Sequence, residues 1–285
     1  MTDNTAHRSF GLAGVMGWPV AHSRSPKIHS HWLEKHGLPG AYVLLPVAPG
    51  TLSIALPGLA ALGFRGCNIT IPHKVDAIAL MQEVDANARR VGAVNTVVVQ
   101  PDRSLRGMNT DGFGFIQSLL EALPAWAADA GPITVLGAGG AARAVVLALA
   151  DRGATEIRLV NRTFDKADAL AKEFGAPLKA VPWAERHVAL ADVALLVNTT
   201  SQGMHGNPPL DLNLHALPRH ALVCDIIYAP LETALLNQAR QRGNVTVNGL
   251  GMLLNQARPA FEAWFGVLPH VTPELRRRVE ATPQS

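Results

Sequence analysis

A glycine-rich turn lies near the middle of this chain of 285 residues. The apolar segment Ile133–Leu136 leads into Gly137, Gly139 and Ala142, and the residues that follow are typical of a helix. The first glycine allows a tight turn, the second lets the backbone approach a pyrophosphate, and a small third residue lets helix and strand pack closely. The helix N-terminus then offers N–H groups to the phosphates. The pattern predicts dinucleotide binding, although glycines also occur in ordinary turns.

Apolar strand-like runs alternate with helical patterns along the chain, which is typical of parallel sheets covered by helices. We expect an α/β protein with an N-terminal α/β substrate domain, whose sheet is mixed but mainly parallel, and a Rossmann-type nucleotide-binding domain. The apolar helical pattern of Met252–Phe265 is expected to return to the first domain. The predicted boundaries are therefore 1–110 plus 250–285 for the substrate domain and 111–249 for the nucleotide domain.

The composition excludes several classes of protein. A hydrophobic content of 48% and a charged content of 16% fit a chain with a full core, and a net charge of +3 is too small to favour nucleic acid. Cys67 and Cys224 lie far apart, with no Cys-x-x-Cys, which fits a reducing compartment. The run Phe10–Ala21 holds glycines and a proline, so we interpret it as a strand and turn rather than a signal segment. We expect a cytoplasmic protein with no membrane or nucleic-acid partner.

The residues at the end of the strand predicted after the glycine turn indicate whether the site prefers NAD or NADP. Sites for NAD usually place Asp or Glu there to bind the ribose 2′-hydroxyl. This chain has Asn161, Arg162 and Thr163, and no acid before Asp165. An arginine fork binds a phosphate through several donors. We therefore predict NADP(H), with a solvated surface arginine as the alternative.

Three polar motifs precede the glycine turn. Ser23 and Ser25 stand just before Pro26, which suits the first turn of a helix, and their hydroxyls could hold a carboxylate there. Helix capping by one serine is the alternative. Lys74 and Asp111 each follow the end of a predicted strand. Such charges are often solvated, but at the C-terminal mouth of a strand they are candidates for function.

Histidines raise the possibility of a metal site, which the pattern does not support. The four candidates are His22, His29, His31 and His73. They form no His-Glu-x-x-His pattern and have no cysteine beside them, so we predict no metal. A Gly-x-Ser-x-Gly elbow is also missing from the sequence, so nucleophilic catalysis is not expected.

The chain resembles the shikimate dehydrogenase family along nearly its whole length, in both the content and the order of its motifs. The motifs are Ser-x-Ser-Pro at 23–26, Asn-Ile-Thr-Ile-Pro-His-Lys at 68–74, Gly-Ala-Val-Asn-Thr at 92–96, Asn-Thr-Asp-Gly at 109–112, Gly-Ala-Gly-Gly-Ala at 137–141, Asn-Arg-Thr at 161–163, Asn-Thr-Thr-Ser-Gln-Gly-Met at 198–204 and Gly-Met-Leu-Leu-Asn-Gln at 251–256. The resemblance implies NADPH-dependent, reversible reduction of 3-dehydroshikimate to shikimate, in the pathway to chorismate and aromatic amino acids. It also makes a homodimer plausible.

The resemblance implies a role for each matching residue. The substrate-binding residues would be Ser23 and Ser25 for the carboxylate, Thr70, Asn95, Asp111 and Gln256 for the ring hydroxyls, and Tyr228 beside the substrate. The cofactor-binding residues would be Gly137, Ala138, Gly139, Gly140, Ala141, Asn161, Arg162, Thr163, Thr199, Met204 and Gly249. Lys74 and Asp111 would be catalytic, at the reacting oxygen. Ser30 departs from the family, which more often has Asn there.

The chemistry of carbonyl reduction agrees with these roles. Hydride transfer to a carbonyl carbon builds negative charge on the oxygen, which needs a proton or a cation within about 3 Å. Lys74 can supply either and Asp111 can orient it, but whether Lys74 gives the proton itself or organises a water stays open. Two other functions stay open as well: a quinate/shikimate dehydrogenase that tolerates NAD, and a non-catalytic NADP-binding regulator.

Overall fold

The computed structural model describes residues 9–281, which divide into two compact units. The first unit holds the described residues up to Thr110 and those from Gln256 onward. The second unit is Asp111–Asn255. Each unit builds its own sheet and core.

Within residues 9–281 the first unit contains one six-stranded sheet. Its strands are β1 (Gly11–Gly17), β2 (Gly40–Pro46), β3 (Phe64–Ile69), β4 (Glu83–Val84), β5 (Thr96–Val99) and β6 (Leu105–Met108). Their order is β2-β1-β3-β5-β6-β4. Strand β1 runs parallel to β2 and β3, and β4 runs parallel to β6, whereas β5 is antiparallel to both of its neighbours. The predicted mixed sheet is confirmed.

Helices α1 (Ser25–Lys35), α2 (Leu52–Ala61) and α3 (Ala86–Val91) connect these strands. Helix α3 begins directly after Asp85. Asp85 caps α3 by accepting the backbone N–H of Ala88 at 2.6 Å, so the residues before it are left to form β4.

The second unit contains, within the described residues, a six-stranded sheet that is entirely parallel. Its strands are β7 (Ile133–Leu136), β8 (Ile157–Asn161), β9 (Leu178–Pro182), β10 (Leu195–Asn198), β11 (Leu222–Asp225) and β12 (Thr246–Val247). The order β12-β11-β10-β7-β8-β9 is that of a doubly wound nucleotide-binding sheet. The glycine turn follows β7, which comes first along the chain in this unit and is one of the two central strands of the sheet. The Rossmann-type prediction is therefore confirmed.

Helices cover both faces of this parallel sheet. They are α4 (Asp111–Ala122), α5 (Gly140–Asp151), α6 (Phe164–Phe174), α7 (Ala234–Gln241) and the start of α8 (Leu250–Phe265). Successive residues of one strand belong to different cores: Val135 of β7 lies in the same hydrophobic cluster as Val145 and Leu149 of α5, and Leu136 lies in the same cluster as Leu235 of α7. This is why the strands are continuous apolar runs rather than alternating ones.

The boundary between the units falls inside α8, after Asn255, whereas the sequence suggested 249/250. The start of α8 packs closely on α4, because a Cβ at Gly251 would lie 2.8 Å from the Cβ of Ser118. One turn later, Asn255 Nδ2 donates to Glu121 Oε1 at 2.8 Å. These contacts tie the first residues of the helix to the second unit. The rest of α8 and α9 (Pro273–Glu280) belong to the first unit.

Among the described residues, no helix has the length and apolar character needed to cross a membrane.

Candidate active site

The serine motif lies at the start of α1. Ser25 is the first residue of the helix and is buried, and Ser23 Oγ accepts its backbone N–H at 3.3 Å. The N-cap residue is Arg24, which makes no side-chain capping bond. Ser23 therefore satisfies part of the helix start, as the capping alternative proposed. Both hydroxyls lie at the positive end of the helix dipole, where a carboxylate is stabilised.

Thr70, Lys74 and Asn95 lie on segments joined by backbone hydrogen bonds. The backbone N–H of Ile69 donates to Asn95 O at 2.8 Å, and that of Val94 donates to Lys74 O at 2.8 Å. Lys74 is half-buried in the turn that follows β3. The sequence placed these residues in two motifs, and the sheet brings the two motifs together at the ends of β3 and β5.

Asn95 and Gln256 are neighbours although 161 positions separate them in the sequence. Asn95 Nδ2 donates to Gln256 Oε1 at 3.3 Å and to Thr110 Oγ1 at 2.9 Å. The Thr110 hydroxyl in turn donates to Gln256 O at 2.8 Å. Sequence reasoning missed Thr110, although it stands inside the Asn-Thr-Asp-Gly motif.

Asp111 follows directly on Thr110 and opens α4 in the second unit. Its side chain is buried, with 3% of the residue exposed. A carboxylate in the first turn of a helix is stabilised by the helix dipole, which explains why an acid is placed at this junction.

The glycine turn has the shape that its sequence predicts. Gly137 has φ +109, and a Cβ there would lie 2.6 Å from Thr199 Oγ1, so only glycine fits. Thr199 is fixed beside it because its hydroxyl donates to Leu136 O at 2.7 Å. Gly139 is the N-cap of α5, and a Cβ there would meet no heavy atom within 4 Å. The space in front of this helix N-terminus thus fits a phosphate group.

The remaining residues of the turn continue this arrangement. Ala138 lies in the turn itself, and Gly140 and Ala141 are the first residues of α5. Ala142 is fully buried, as expected where helix and strand pack closely.

The end of β8 carries the residues predicted to select the nucleotide. Asn161 is the last residue of the strand, and its Nδ2 donates to Thr163 O at 2.8 Å, which closes the turn before α6. Arg162 is exposed between them, and Thr163 is the N-cap of α6. An exposed guanidinium at the end of β8 is chemically suited to a ribose 2′-phosphate.

Two loops of the second unit, the first after β10 and the second after β11, meet beside Tyr228. The backbone N–H of His205, the residue after Met204, donates to Ala229 O at 3.0 Å. Tyr228 and Met204 are both partly buried. The structure therefore brings together a residue predicted to bind substrate and one predicted to bind cofactor.

Gly249 lies against the second of these loops. Its backbone N–H donates to Ile227 O at 2.9 Å, and a Cβ at Gly249 would lie 1.9 Å from Ile226 O. No side chain can occupy this position, so the loop packs directly on the backbone before α8.

Asp225 anchors both loops, and sequence reasoning did not find it. The carboxylate accepts hydrogen bonds from Asn198 Nδ2 at 3.1 Å, Ile227 N at 3.1 Å and Thr233 Oγ1 at 2.7 Å. Burial raises the pKa of Asp225 to about 6, against the opposing effect of these three donors. An acid at the end of the apolar β11 was the available signal.

His73 and His29 make contacts typical of histidines within a protein core. His73 Nε2 lies 2.7 Å from Val47 O, and His29 is buried with its ring stacked on Tyr42 at 4.1 Å. Within residues 9–281, no group of three or more His, Cys, Asp or Glu side chains is arranged to hold a metal ion.

Comparison with known proteins identifies the relatives of the chain. Residues 15–97 match the model of the shikimate dehydrogenase substrate binding domain, and residues 125–205 match that of shikimate / quinate 5-dehydrogenase. The shikimate dehydrogenase (NADP(+)) of Paramagnetospirillum magneticum is 54% identical over 93% of this chain and 96% of its own length.

Solved structures show the same fold. Shikimate 5-dehydrogenase from Thermus thermophilus, in complex with NADP(H) and shikimate, has a TM-score of 0.83 and 38% identity, and the match covers 94% of this chain and 98% of that one. Quinate dehydrogenase from Corynebacterium glutamicum, in complex with NAD, has a TM-score of 0.85 and 31% identity, with 94% and 98% covered.

The doubly wound sheet and its glycine turn define a protein with a Rossmann-type nucleotide-binding unit and a second, mixed-sheet unit. The sequence identity of 54% to a shikimate dehydrogenase over nearly the full length identifies the family within this class. The chain belongs to the shikimate dehydrogenase family.

Proposed function

We propose that this protein catalyses the reversible, NADP-dependent interconversion of 3-dehydroshikimate and shikimate. The observation that carries the proposal is the hydrogen-bonded group of Asn95, Thr110 and Gln256. Three separate motifs of the sequence supply these residues, and side-chain amides are suited to binding the hydroxyls of a polyol ring. The relative from Thermus thermophilus that shares this fold was solved with NADP(H) and shikimate.

The proposed substrate contacts follow from the chemistry of each side chain. Ser23 and Ser25 at the start of α1 bind the carboxylate. Thr70, Asn95, Asp111 and Gln256 bind the ring hydroxyls, and Tyr228 lies on the substrate side of the cofactor. Lys74 and Asp111 act on the oxygen that changes between carbonyl and alcohol.

The proposed cofactor contacts lie in the second unit. The turn at Gly137–Ala141 and the N-terminus of α5 bind the pyrophosphate. The segment Asn161–Thr163 binds the adenosine 2′-phosphate, while Thr199, Met204 and Gly249 approach the nicotinamide. Bound NADPH supplies the hydride.

Lys74 of the first unit is the proposed proton-handling residue, and Asp111, the first residue of the second unit, assists it. In the reductive direction, the oxygen gains negative charge as the carbonyl carbon becomes tetrahedral, and the Lys74 ammonium neutralises that charge. Lys74 then either gives its own proton or holds the water that does. Asp111 keeps the ammonium oriented and accepts a hydrogen bond from a neighbouring substrate hydroxyl.

Absorbance at the NADPH band tests the proposal. The purified protein is assayed with shikimate and with quinate, each with NADP+ and with NAD+. The expected result is the highest kcat/KM with shikimate and NADP+. Comparable kcat/KM with quinate and NAD+ would establish the alternative that its quinate dehydrogenase relative raises, and binding of NADPH without turnover would establish a regulator.

We also propose that the protein is a cytoplasmic homodimer. The two free cysteines, Cys67 and Cys224, are buried thiols, which agrees with a reducing cytoplasm. A homodimer stays a prediction, and light scattering on the purified protein measures its mass directly.

A further inference from the structure

We propose that Tyr42 and Thr96 are positioning residues that, together with the backbone N–H of Thr110 and the backbone carbonyl of Asn95, hold the side-chain amides of Asn95 and Gln256 in one orientation. They thereby set the polarity of the subsite for a substrate hydroxyl. The inference rests on the proposed function, since Asn95 and Gln256 are the proposed hydroxyl-binding residues.

A chain of hydrogen bonds crosses the first unit. The Tyr42 hydroxyl donates to Asn68 Oδ1 at 2.7 Å, and Asn68 Nδ2 donates to Thr96 Oγ1 at 3.1 Å. The Thr96 hydroxyl donates to Asn95 Oδ1 at 3.0 Å, and Asn95 Nδ2 donates to Gln256 Oε1 at 3.3 Å. All five residues are at most 9% exposed, so these groups depend on one another rather than on solvent.

Backbone groups fix the direction of this chain. The backbone N–H of Thr110 can only donate, and it donates to Asn95 Oδ1 at 2.9 Å. The backbone carbonyl of Asn95 can only accept, and it accepts from Asn68 Nδ2 at 3.1 Å. Both asparagine amides are therefore oriented by partners that cannot reverse their roles.

The hydroxyl groups must follow that direction. The Thr96 hydroxyl lies between an amide nitrogen of Asn68 and an amide oxygen of Asn95, so it accepts from the first and donates to the second. The Tyr42 hydroxyl meets the oxygen of Asn68, so it must donate. Every member of the chain thus points its proton toward Gln256.

Tyr42 is suited to the head of the chain. Burial raises the pKa of its phenol well above the ordinary value, and the side chain of Ser25 interacts with it. A phenol that stays protonated is a permanent donor. Tyr42 thereby links Ser25, a proposed carboxylate-binding residue, to the proposed hydroxyl-binding residues.

The direction of this series of hydrogen bonds determines which groups remain to bind a substrate hydroxyl. Asn95 turns its NH2 group toward Gln256, whose side-chain oxygen accepts, which leaves the Gln256 amide nitrogen as the donor end of that side chain. Both N–H groups of Asn95 already donate within the protein, so a substrate hydroxyl here is met by the side-chain N–H groups of Gln256, and its oxygen acts as the acceptor.

The test compares Thr96→Val with Thr96→Ser. Valine removes the hydroxyl that both accepts and donates, so the Asn68 amide nitrogen loses one of its two acceptors and Asn95 is less firmly oriented. We expect the KM for shikimate to rise about tenfold, as for a buried polar group left without its partner, with the KM for NADP+ unchanged. Serine keeps the hydroxyl and should return the KM for shikimate to near the wild-type value.

Thr134→Val is the matched control. Thr134 is also a buried strand threonine, and its hydroxyl donates to Ala189 O at 2.6 Å in the second unit. Its loss should lower stability and leave the KM for shikimate unchanged. The proposal is overturned if Thr96→Val leaves that KM within about twofold of wild type, or raises the KM for NADP+ to the same extent. If Thr96→Val does not fold, Tyr42→Phe carries the same test, because it removes the donor at the head of the chain.

A second readout separates this inference from the proposed function. If the wild-type protein does not oxidise shikimate, the proposed function fails, but the orientation of Asn95 can still be measured. In a protein labelled with 15N at asparagine, the Asn95 side-chain amide resonances should shift in Thr96→Val and return in Thr96→Ser. Resonances that do not move in Thr96→Val would overturn the inference.

Discussion

The two units organise their candidate residues by different physical means. In the first unit, the candidate residues are side-chain amides and hydroxyls that hydrogen-bond to one another, as Asn95 and Gln256 do. In the second unit, the backbone determines the candidate surface, through the positive φ of Gly137 and the close approach at Gly249. A ring that carries several hydroxyls is bound through oriented side chains, whereas a pyrophosphate is bound through backbone N–H groups, which require only small residues and the right turn.

Each unit also buries an acid or a base with a shifted pKa, and the two groups are of opposite kind. The first unit buries a base, His29, whose pKa burial lowers to about 3, partly offset by Asn68. The second unit buries an acid, Asp225, whose pKa is raised to about 6. The two groups should therefore give stability the opposite dependence on pH.

The largest effect is expected at Lys74, if the proton is handled in the first unit. Lys74→Ala should lower kcat by roughly two to four orders of magnitude, the range for general acid–base catalysis, and change KM much less. Lys27→Ala, which removes an exposed lysine of α1, is the control and should leave both constants unchanged. A rise in KM with kcat intact would make Lys74 a binding residue only.

The buried base predicts acid sensitivity. Because the folded-state pKa of His29 is lowered from 6.5 to about 3, the unfolded state binds more protons in that range, and stability falls as the pH falls. Between pH 6.5 and 3.5 the loss should be about 4 kcal/mol. Urea unfolding of His29→Gln should show a correspondingly flatter dependence, while the exposed His220→Gln should keep the wild-type slope.

The buried acid predicts the opposite slope. The folded-state pKa of Asp225 is raised from 3.8 to about 6, so the folded state binds the extra proton, and its contribution to stability falls as the pH rises through this range. The loss should be about 3 kcal/mol. The measurement is the difference in unfolding free energy between wild type and Asp225→Asn from pH 4 to 6.5. A difference that does not change with pH would remove this contrast between the units.

The smallest effect is expected at Arg162, the charged side chain among the proposed cofactor contacts. Arg162→Ala should raise the KM for NADPH by roughly ten- to a hundredfold, as expected for lost hydrogen bonds to a charged group, and leave the KM for NADH unchanged. Arg152→Ala removes an exposed arginine at the opposite end of α5 and serves as the control. Unchanged affinity for NADPH would show that Arg162 is a solvated surface charge.

The second unit was the easier one to predict. Its strands are short apolar runs separated by helices, and Gly137 and Gly139 mark the turn through local steric requirements that are visible in the sequence. Strand β9 was missed because Leu178–Pro182 begins and ends beside prolines, has only one fully buried residue and shows little apolar signal.

The polar core of the first unit could not be predicted from spacing. Asn95 and Gln256 each stand in a recognisable motif, but nothing in the sequence shows that two residues 161 positions apart are brought into contact by the fold. Tyr42 and Asn68 carry still less signal, because their hydrogen bond depends on the pairing of β2, β1 and β3. Asp225 was missed for a related reason, since its three donors come from different segments.

The one-way run of donors from Tyr42 to Gln256 limits how this region can be redesigned. Asn68 and Asn95 each donate and accept at the same time, so an aspartate at either place would put two acceptors face to face. Variation at these positions, and at Thr96 beyond the exchange for serine, should be tolerated only in matched combinations. A mutant library aimed at new substrates would do better to keep all of them constant and diversify the residues around them.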